Sequence, residues 1–241
     1  MSNSKDFQVV ELRRYTITDG GREHFARYFE TYFPDAFQQL GAIIFGEFLE
    51  RNNPSMFTWI RGFQDIDARA TVNAAFYYGP LWKEHRSKMN DLLIDSDNVL
   101  LLRPLNPEGG ISVLPAVNPV SEPQGAQGVV VAQIFAVDAN NLEKFTQQAE
   151  SIFATYRSAG LREAGTLVTL DVPNNFPQLP VRTDGPYLVW LGILKDDEML
   201  NSLFAPLIER CLQPLSKTRF LRSAPEVVIL DPTSRSRLRW L

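Results

Sequence analysis

The feature that most constrains how this chain folds is that it repeats itself once. Asp19 and Asp138, Gly41 and Gly160, and Gly46 and Gly165 all keep one common separation, and each pair falls at the same point in an order of elements. In the first copy, alternation over residues 7–17 predicts a half-buried strand with Val10 and Leu12 on one face and Glu11, Arg13 and Tyr15 on the other. Asp19 is the expected N-cap of a helix in which Phe25, Phe29, Phe33, Phe37 and Leu40 recur at steps of four and three until Gly41. Pro34 removes a backbone hydrogen bond inside that run and predicts a kink near Tyr32. Residues 43–50 and 56–63, joined by Arg51-Asn52-Asn53-Pro54, read as a hairpin. A helical region over 65–93, broken at Gly79-Pro80, and an apolar run over 99–104 complete the order β-α-β-β-α-β.

The same order returns after a stretch rich in Pro, Gly, Asn and Ser. Residues 128–137 predict a strand, Asp138 caps a helix with Phe145, Ala149, Ile152 and Tyr156 on one face, and Gly160 ends it. Trp190-Leu191 answers Trp59-Ile60 after an insertion rich in Pro and Asn around 172–185, and 227–232 answers 99–104. The expected class is α+β, two tandem ferredoxin-like units over 7–104 and 128–232, with a linker over 105–127 and a basic tail over 233–241. The copies are unequal. The aromatic, Gly-Pro-broken segment 76–98 has no counterpart in the second copy, where 204–215 is plainly apolar, so chemistry is expected in the first.

Composition excludes whole classes of function. With 24 basic and 28 acidic groups the chain has no basic excess to hold a polyanion, so nucleic acid is not an expected partner. The single cysteine, Cys211, forbids an intramolecular disulfide and a Cys-rich zinc site, which fits a reduced, cytoplasmic setting. Residues 1–6 lack the apolar centre of a signal peptide, and no apolar run reaches the ~18 residues of a membrane span. There is no Walker loop and no GxGxxG, and the triad and zinc patterns lack a second suitable histidine, so neither cofactor nor metal is expected. Asp91, Asp95 and Asp97 lack the glycine and distal glutamate of an EF-hand and read as a turn with solvated carboxylates.

Glu11-Leu12-Arg13 with Tyr15, then Gly21, Phe25, Pro34, Gly41, the strand from Trp59 to Phe63, Trp82 and Leu101-Leu102-Arg103-Pro104 resemble the NIPSNAP domain of the dimeric α/β-barrel superfamily. The resemblance spans nearly all of the first copy, and the second only through strand order, paired glycines and the Trp190 strand. It implies that the two four-stranded sheets pack face to face as an intramolecular barrel with helices outside. It implies little about reaction, because fold alone does not carry function. One departure stands out: Trp59 then Arg61 occupies the third strand where relatives commonly carry a histidine then a tryptophan, so this face is more cationic.

If Val10 and Leu12 pack on the helices, then Glu11, Arg13, Tyr15, Trp59, Arg61 and Phe63 line the barrel interior. Two arginines facing one glutamate leave a cation for an anionic or carbonyl-bearing ligand, unless the network only fixes register. Tyr77 and Trp82 are expected to close that cavity as an aromatic lid, with Arg86 beside it, unless they pack under a loop or across a subunit contact. Tyr15 and His85 are the candidate proton carriers. His85 is also the one remote candidate for a haem ligand, and its bland alternative is a surface histidine. His24 is expected in solvent, and Cys211 as an inert small hydrophobe. Three readings stay open: a small-molecule binder, a cofactor-independent oxygenase or isomerase, and a protein-interaction module. A packed barrel centre would favour the last. A homodimer is left open as well.

Overall fold

The computed structural model describes residues 6–107, 109–215 and 219–241; residues 1–5, read above for a leader, lie outside them. Eight strands form one closed antiparallel barrel: β1 (Val9–Ile17), β2 (Ile43–Glu50), β3 (Met56–Phe63), β4 (Leu93–Pro104), β5 (Val129–Ala136), β6 (Arg162–Thr169), β7 (Tyr187–Leu194) and β8 (Glu226–Pro232). Their order is β1-β3-β2-β8-β5-β7-β6-β4, so each half supplies a contiguous four-stranded sheet. The halves are stitched where β2 meets β8, from Phe48↔Pro232 to Glu50↔Leu230, and where β4 meets β6, from Leu102↔Thr169 to Pro104↔Leu167. Closure removes every free sheet edge. The duplication is visible in detail: register slips between Ile44 and Gly46 against β3, and again between Glu163 and Gly165 against β7.

Among the described residues six α-helices cover the outside, α1 (Arg22–Tyr32), α2 (Pro34–Gln39), α3 (Ile66–Tyr77) and α4 (Pro80–Leu92) on the first half, α5 (Leu142–Ser158) and α6 (Ala205–Leu212) on the second. The kink is real, with Phe33 between α1 and α2 and Pro34 opening α2, where its missing N–H would have been unpaired anyway. Asp19 is not the cap: α1 starts after Gly21 with no side-chain cap, and Leu40 is exposed. Gly41 and Gly160 stop their helices at φ +100° and +91°, a conformation open to glycine without a Cβ clash. Asp138 accepts from the Asn140 N–H at 3.0 Å and leads into α5, whose inner face buries Phe145, Ala149, Phe153 and Tyr156, with Ile152 packed at its edge.

Three hydrophobic layers result. The barrel interior is filled by Val10, Leu12, Phe45, Ile60 and Leu102 from the first half with Val130, Val189, Leu191 and Leu230 from the second. A second cluster lies between the first sheet and α1–α4, and a third between the second sheet and α5–α6. This overturns the face assignment made from the sequence. Val10 and Leu12 point into the barrel, whereas Tyr15, Trp59 and Phe63 point to the helices, with Glu11, Arg13 and Arg61 on the same side. The alternation itself holds. Both faces of β1 are buried, so period two separates the residues into two sets without saying which set meets the helices.

The segments before β5 and after β8 also belong to this packing. Ile111, Leu114 and Leu238 join the barrel-interior cluster, Leu238 N–H donates to Phe45 O at 2.7 Å, and fully buried Arg239 holds Glu122 at 2.6 and 2.9 Å. No helix among the described residues is long and apolar enough to cross a membrane.

Candidate functional site

Glu11 on β1 stands directly opposite Arg61 on β3, and both side chains are fully buried. Glu11 Oε2 accepts from Arg61 Nε at 2.6 Å and from Arg13 Nη1 at 2.9 Å, while Oε1 accepts from Arg69 Nε on α3 at 2.6 Å. One carboxylate thus serves three buried guanidiniums. Burial alone would raise the Glu11 pKa, but Arg61, Arg13 and Arg69 together hold it well below the usual carboxylate range. Arg13 is kept charged against its burial by Tyr15 and Glu11. Arg61 lies over the rings of Trp59, Phe37 and Phe63 at 4.8, 5.0 and 5.1 Å. Among the described residues, Arg61 Nη1, Arg69 Nη2, both amide atoms of buried Asn73 and Trp59 Nε1 lack hydrogen-bond partners. A buried polar group without a partner costs about 1–3 kcal/mol, so these are groups that a ligand or water would satisfy.

In front of this cluster lies a cavity of about 330 Å³ between the first sheet and its helices. That is near the lower end of the ~300–1,000 Å³ of small-molecule sites. Tyr15 and Trp59 form its floor, Phe25, Phe29, Phe33 and Phe37 from α1 and α2 one wall, and Phe76, Tyr77, Tyr78 and Trp82 its cover. Arg13 Nε donates to the Tyr15 hydroxyl oxygen at 2.8 Å, which leaves the Tyr15 O–H available to whatever occupies the cavity. Tyr15 and Trp59 meet edge to face at 6.0 Å, and Phe37 and Phe76 stack at 3.9 Å. Burial pushes the Tyr77 hydroxyl up to about 12, so it is a neutral donor across the ordinary pH range.

Of the residues singled out from sequence, Tyr15, Trp59, Tyr77 and Trp82 line this cavity; Glu11, Arg13 and Arg61 sit behind its floor, and Phe63 is beneath Arg61. Arg86 is exposed on α4 and does not line it. His85 is neither a surface residue nor a cavity residue. Its Nδ1 lies 2.6 Å from the Tyr28 hydroxyl and its ring stacks on Tyr32 at 4.0 Å, so it locks α4 to α1. Asp95 and Asp97 are exposed, within the irregular start of β4 rather than a free turn. Cys211 is free and half-buried, with burial raising its pKa. No group of three potential metal ligands exists among the described residues.

The second half shows the same positions without the chemistry. There Val131 faces Gly192 and Gln133 faces Trp190, where the first half pairs Glu11 with Arg61 and Arg13 with Trp59. Gln133 simply bonds the Tyr156 hydroxyl at 3.0 Å.

Solved structures share this whole architecture. A putative monooxygenase from Fusobacterium nucleatum matches with TM-score 0.62 at 12% identity, over 98% of this chain and 96% of that one. Another, from Lactobacillus acidophilus, matches with TM-score 0.57 at 15% identity, over 95% and 97%. An anthrone oxidase-like protein matches with TM-score 0.60 at 9% identity, over 100% and 99%. A NIPSNAP family protein from Agrobacterium tumefaciens aligns with 44% of this chain at TM-score 0.39. No protein-family model and no curated protein matches the sequence. At these identities the likeness shows the fold alone, a closed eight-stranded antiparallel barrel with helices outside.

Several site residues were not found from the sequence. Arg69 sits on α3 as one charge among others, and only the register of α3 over β1 brings it to Glu11. Asn73 follows one turn later on the same face, a spacing that could have flagged the pair. Phe176, Gln178 and Leu179 reach the cavity from the β6–β7 connection of the other half, which no local pattern announces.

Proposed function

We propose that the first half binds a small planar aromatic molecule carrying a hydroxyl or carbonyl oxygen, in the cavity between its sheet and its helices. The observation that carries this reading is the placement of a mostly aromatic 330 Å³ cavity, with Asn90, Ser96 and Gln178 as its polar side chains besides the tyrosines, against Tyr15, whose oxygen is held by Arg13, itself part of a buried cluster of three arginines and one carboxylate. Rings stack on the walls; oxygen that carries negative charge faces Tyr15 and the positive field behind it. The barrel centre is packed with side chains, the outcome expected above of an interaction module, so the ligand reading rests on the separate helix-side cavity and not on the barrel interior.

A second reading adds turnover. The full-length structural neighbours are described as monooxygenases and as an anthrone oxidase-like protein. A hydroxylated ring held beside Tyr15 can lose a proton and react with dioxygen without a cofactor. A ring methylene then gives up two hydrogens, one oxygen atom becomes the new carbonyl and the other leaves as water. In this chain Tyr15 would donate to the ligand oxygen, and the charge of Arg13 and Arg61 would favour its anionic form. Calorimetric titration with anthrone and 1-naphthol tests binding, and oxygen uptake with anthrone tests turnover. Tyr15→Phe is expected to weaken binding roughly tenfold and Trp82→Ala to speed release. Equal affinity of wild type and both folded variants would remove the ligand from this cavity.

A further inference from the structure

The two halves differ in one connection as much as in their site residues. Residues 51–55 join β2 to β3 as a tight hairpin, whereas residues 170–186 join the equivalent β6 and β7. The long connection reaches across to the first half. Leu170 N–H donates to Leu101 O at 2.9 Å and Arg182 N–H to Val99 O at 2.8 Å, so it leaves and returns along β4 of the first half. Leu170 and Val181 pack against the first-half helix–sheet core. At its crest, Asn175 Nδ2 donates to Ile66 O at 2.6 Å, and Arg69 Nη1 donates to Asn174 Oδ1 at 3.0 Å and Asn175 Oδ1 at 2.9 Å.

Those clasps set Phe176, Gln178 and Leu179 into the cavity wall. Buried Phe176 lies 6.2 Å from Tyr77 and 6.0 Å from Tyr78, ring centre to ring centre. The loop is braced within itself, because Asn174 Oδ1 accepts from Phe176 N–H at 3.1 Å and Asn174 Nδ2 donates to Leu179 O at 2.9 Å. Arg69 is therefore shared: its Nε serves Glu11 beneath the cavity and its Nη1 serves the loop above it.

We infer that the β6–β7 loop of the second half is the lid and the size gauge of the first-half cavity, with Phe176 and Leu179 limiting how long a fused-ring ligand it accepts and Gln178 offering the lid's polar side chain to that ligand. This rests on the cavity being the ligand site. It gives the second half, which lacks the charged residues, a role in selecting the ligand. A loop anchored by a few side-chain bonds can open locally while the barrel stays closed.

Quenching of tryptophan fluorescence by 1-naphthol and by four-ring 1-hydroxypyrene tests the inference on the full chain. Wild type should prefer the two-ring probe. Phe176→Ala, and independently Leu179→Ala as a milder change, should move the affinity ratio toward 1-hydroxypyrene by at least tenfold with an unchanged melting temperature. The pair Asn174→Ala with Asn175→Ala should raise the dissociation rate of 1-naphthol at least tenfold in stopped flow. Folded variants that bind both probes in the wild-type ratio overturn the lid and leave the cavity reading standing. Failure of wild type to bind either probe overturns the cavity reading itself, and the lid with it.

Discussion

Removing the charge of Glu11 should expose what the arginine cluster is for. Glu11→Gln keeps the shape and leaves three fully buried guanidiniums facing a neutral amide. Losing one partner of a buried ion network costs about 3–5 kcal/mol, because the remaining charge stays desolvated. Against a total stability on the order of 5–15 kcal/mol this is a large fraction. It corresponds to a fall in melting temperature of roughly 6–20 °C for a chain of this size. Replacing the whole cluster is a different perturbation. The second half folds with Val131, Gln133 and Gly192 at the matching positions, so Glu11→Val with Arg13→Gln, Arg61→Met and Arg69→Leu should stay within about 2 kcal/mol of wild type. That variant should bind neither anthrone nor 1-naphthol. Urea denaturation followed by circular dichroism measures both stabilities. A loss below about 1 kcal/mol in Glu11→Gln would refute the electrostatic reasoning, and a replacement variant as unstable as Glu11→Gln would make the cluster a structural necessity.

Two pH effects follow with opposite sign. The folded-state pKa of Glu11 is depressed, so its contribution is fully present above the ordinary carboxylate value of 4.5 and is lost as pH falls below that toward its folded value; Glu11→Gln should flatten the acid limb of the stability curve. Glu47 is buried near Glu30, and burial, then that neighbouring charge, push it up to about 8. The folded protein therefore keeps a proton that the unfolded chain releases above about 4.5, and stability should fall as pH rises from there to about 8. Glu47→Gln should remove that slope and leave the protein roughly 2–4 kcal/mol more stable at pH 9 than wild type, measured by urea titration at each pH. His85→Ala should cost about 1–3 kcal/mol of stability through Tyr28 and Tyr32 while anthrone binding by the folded protein is unchanged.

The duplication, the strand order and the helix stops were legible because each leaves a local mark: paired glycines, a proline inside a phenylalanine stripe, alternation along β1. Which face of β1 meets the helices was not. Polar residues read as cavity lining and apolar ones as helix contacts, but the interior of a closed eight-stranded barrel is filled by side chains from both halves, so it took Val10 and Leu12. The ionic and aromatic residues went to the helix side, where the phenylalanines of α1 and α2 already stood. Alternation keeps Tyr15 and Trp59 together whichever face they take, and they converge with Tyr77 and Trp82 of α3 and α4 because that face is the helix side. Arg69 offered only its one-turn spacing to Asn73 as a signal, with Glu11 far away in sequence, and Phe176 offered none, because Tyr77 lies across the seam between halves.

The central claim is that a ligand sits between the first sheet and its helices rather than inside the barrel. A crystal structure grown with anthrone tests it most directly. The account predicts density stacked among Phe37, Phe76 and Trp82, with its oxygen within hydrogen-bond distance of the Tyr15 hydroxyl and Phe176 over its outer edge. An anthrone bound elsewhere on the barrel, with this cavity unfilled, would contradict it.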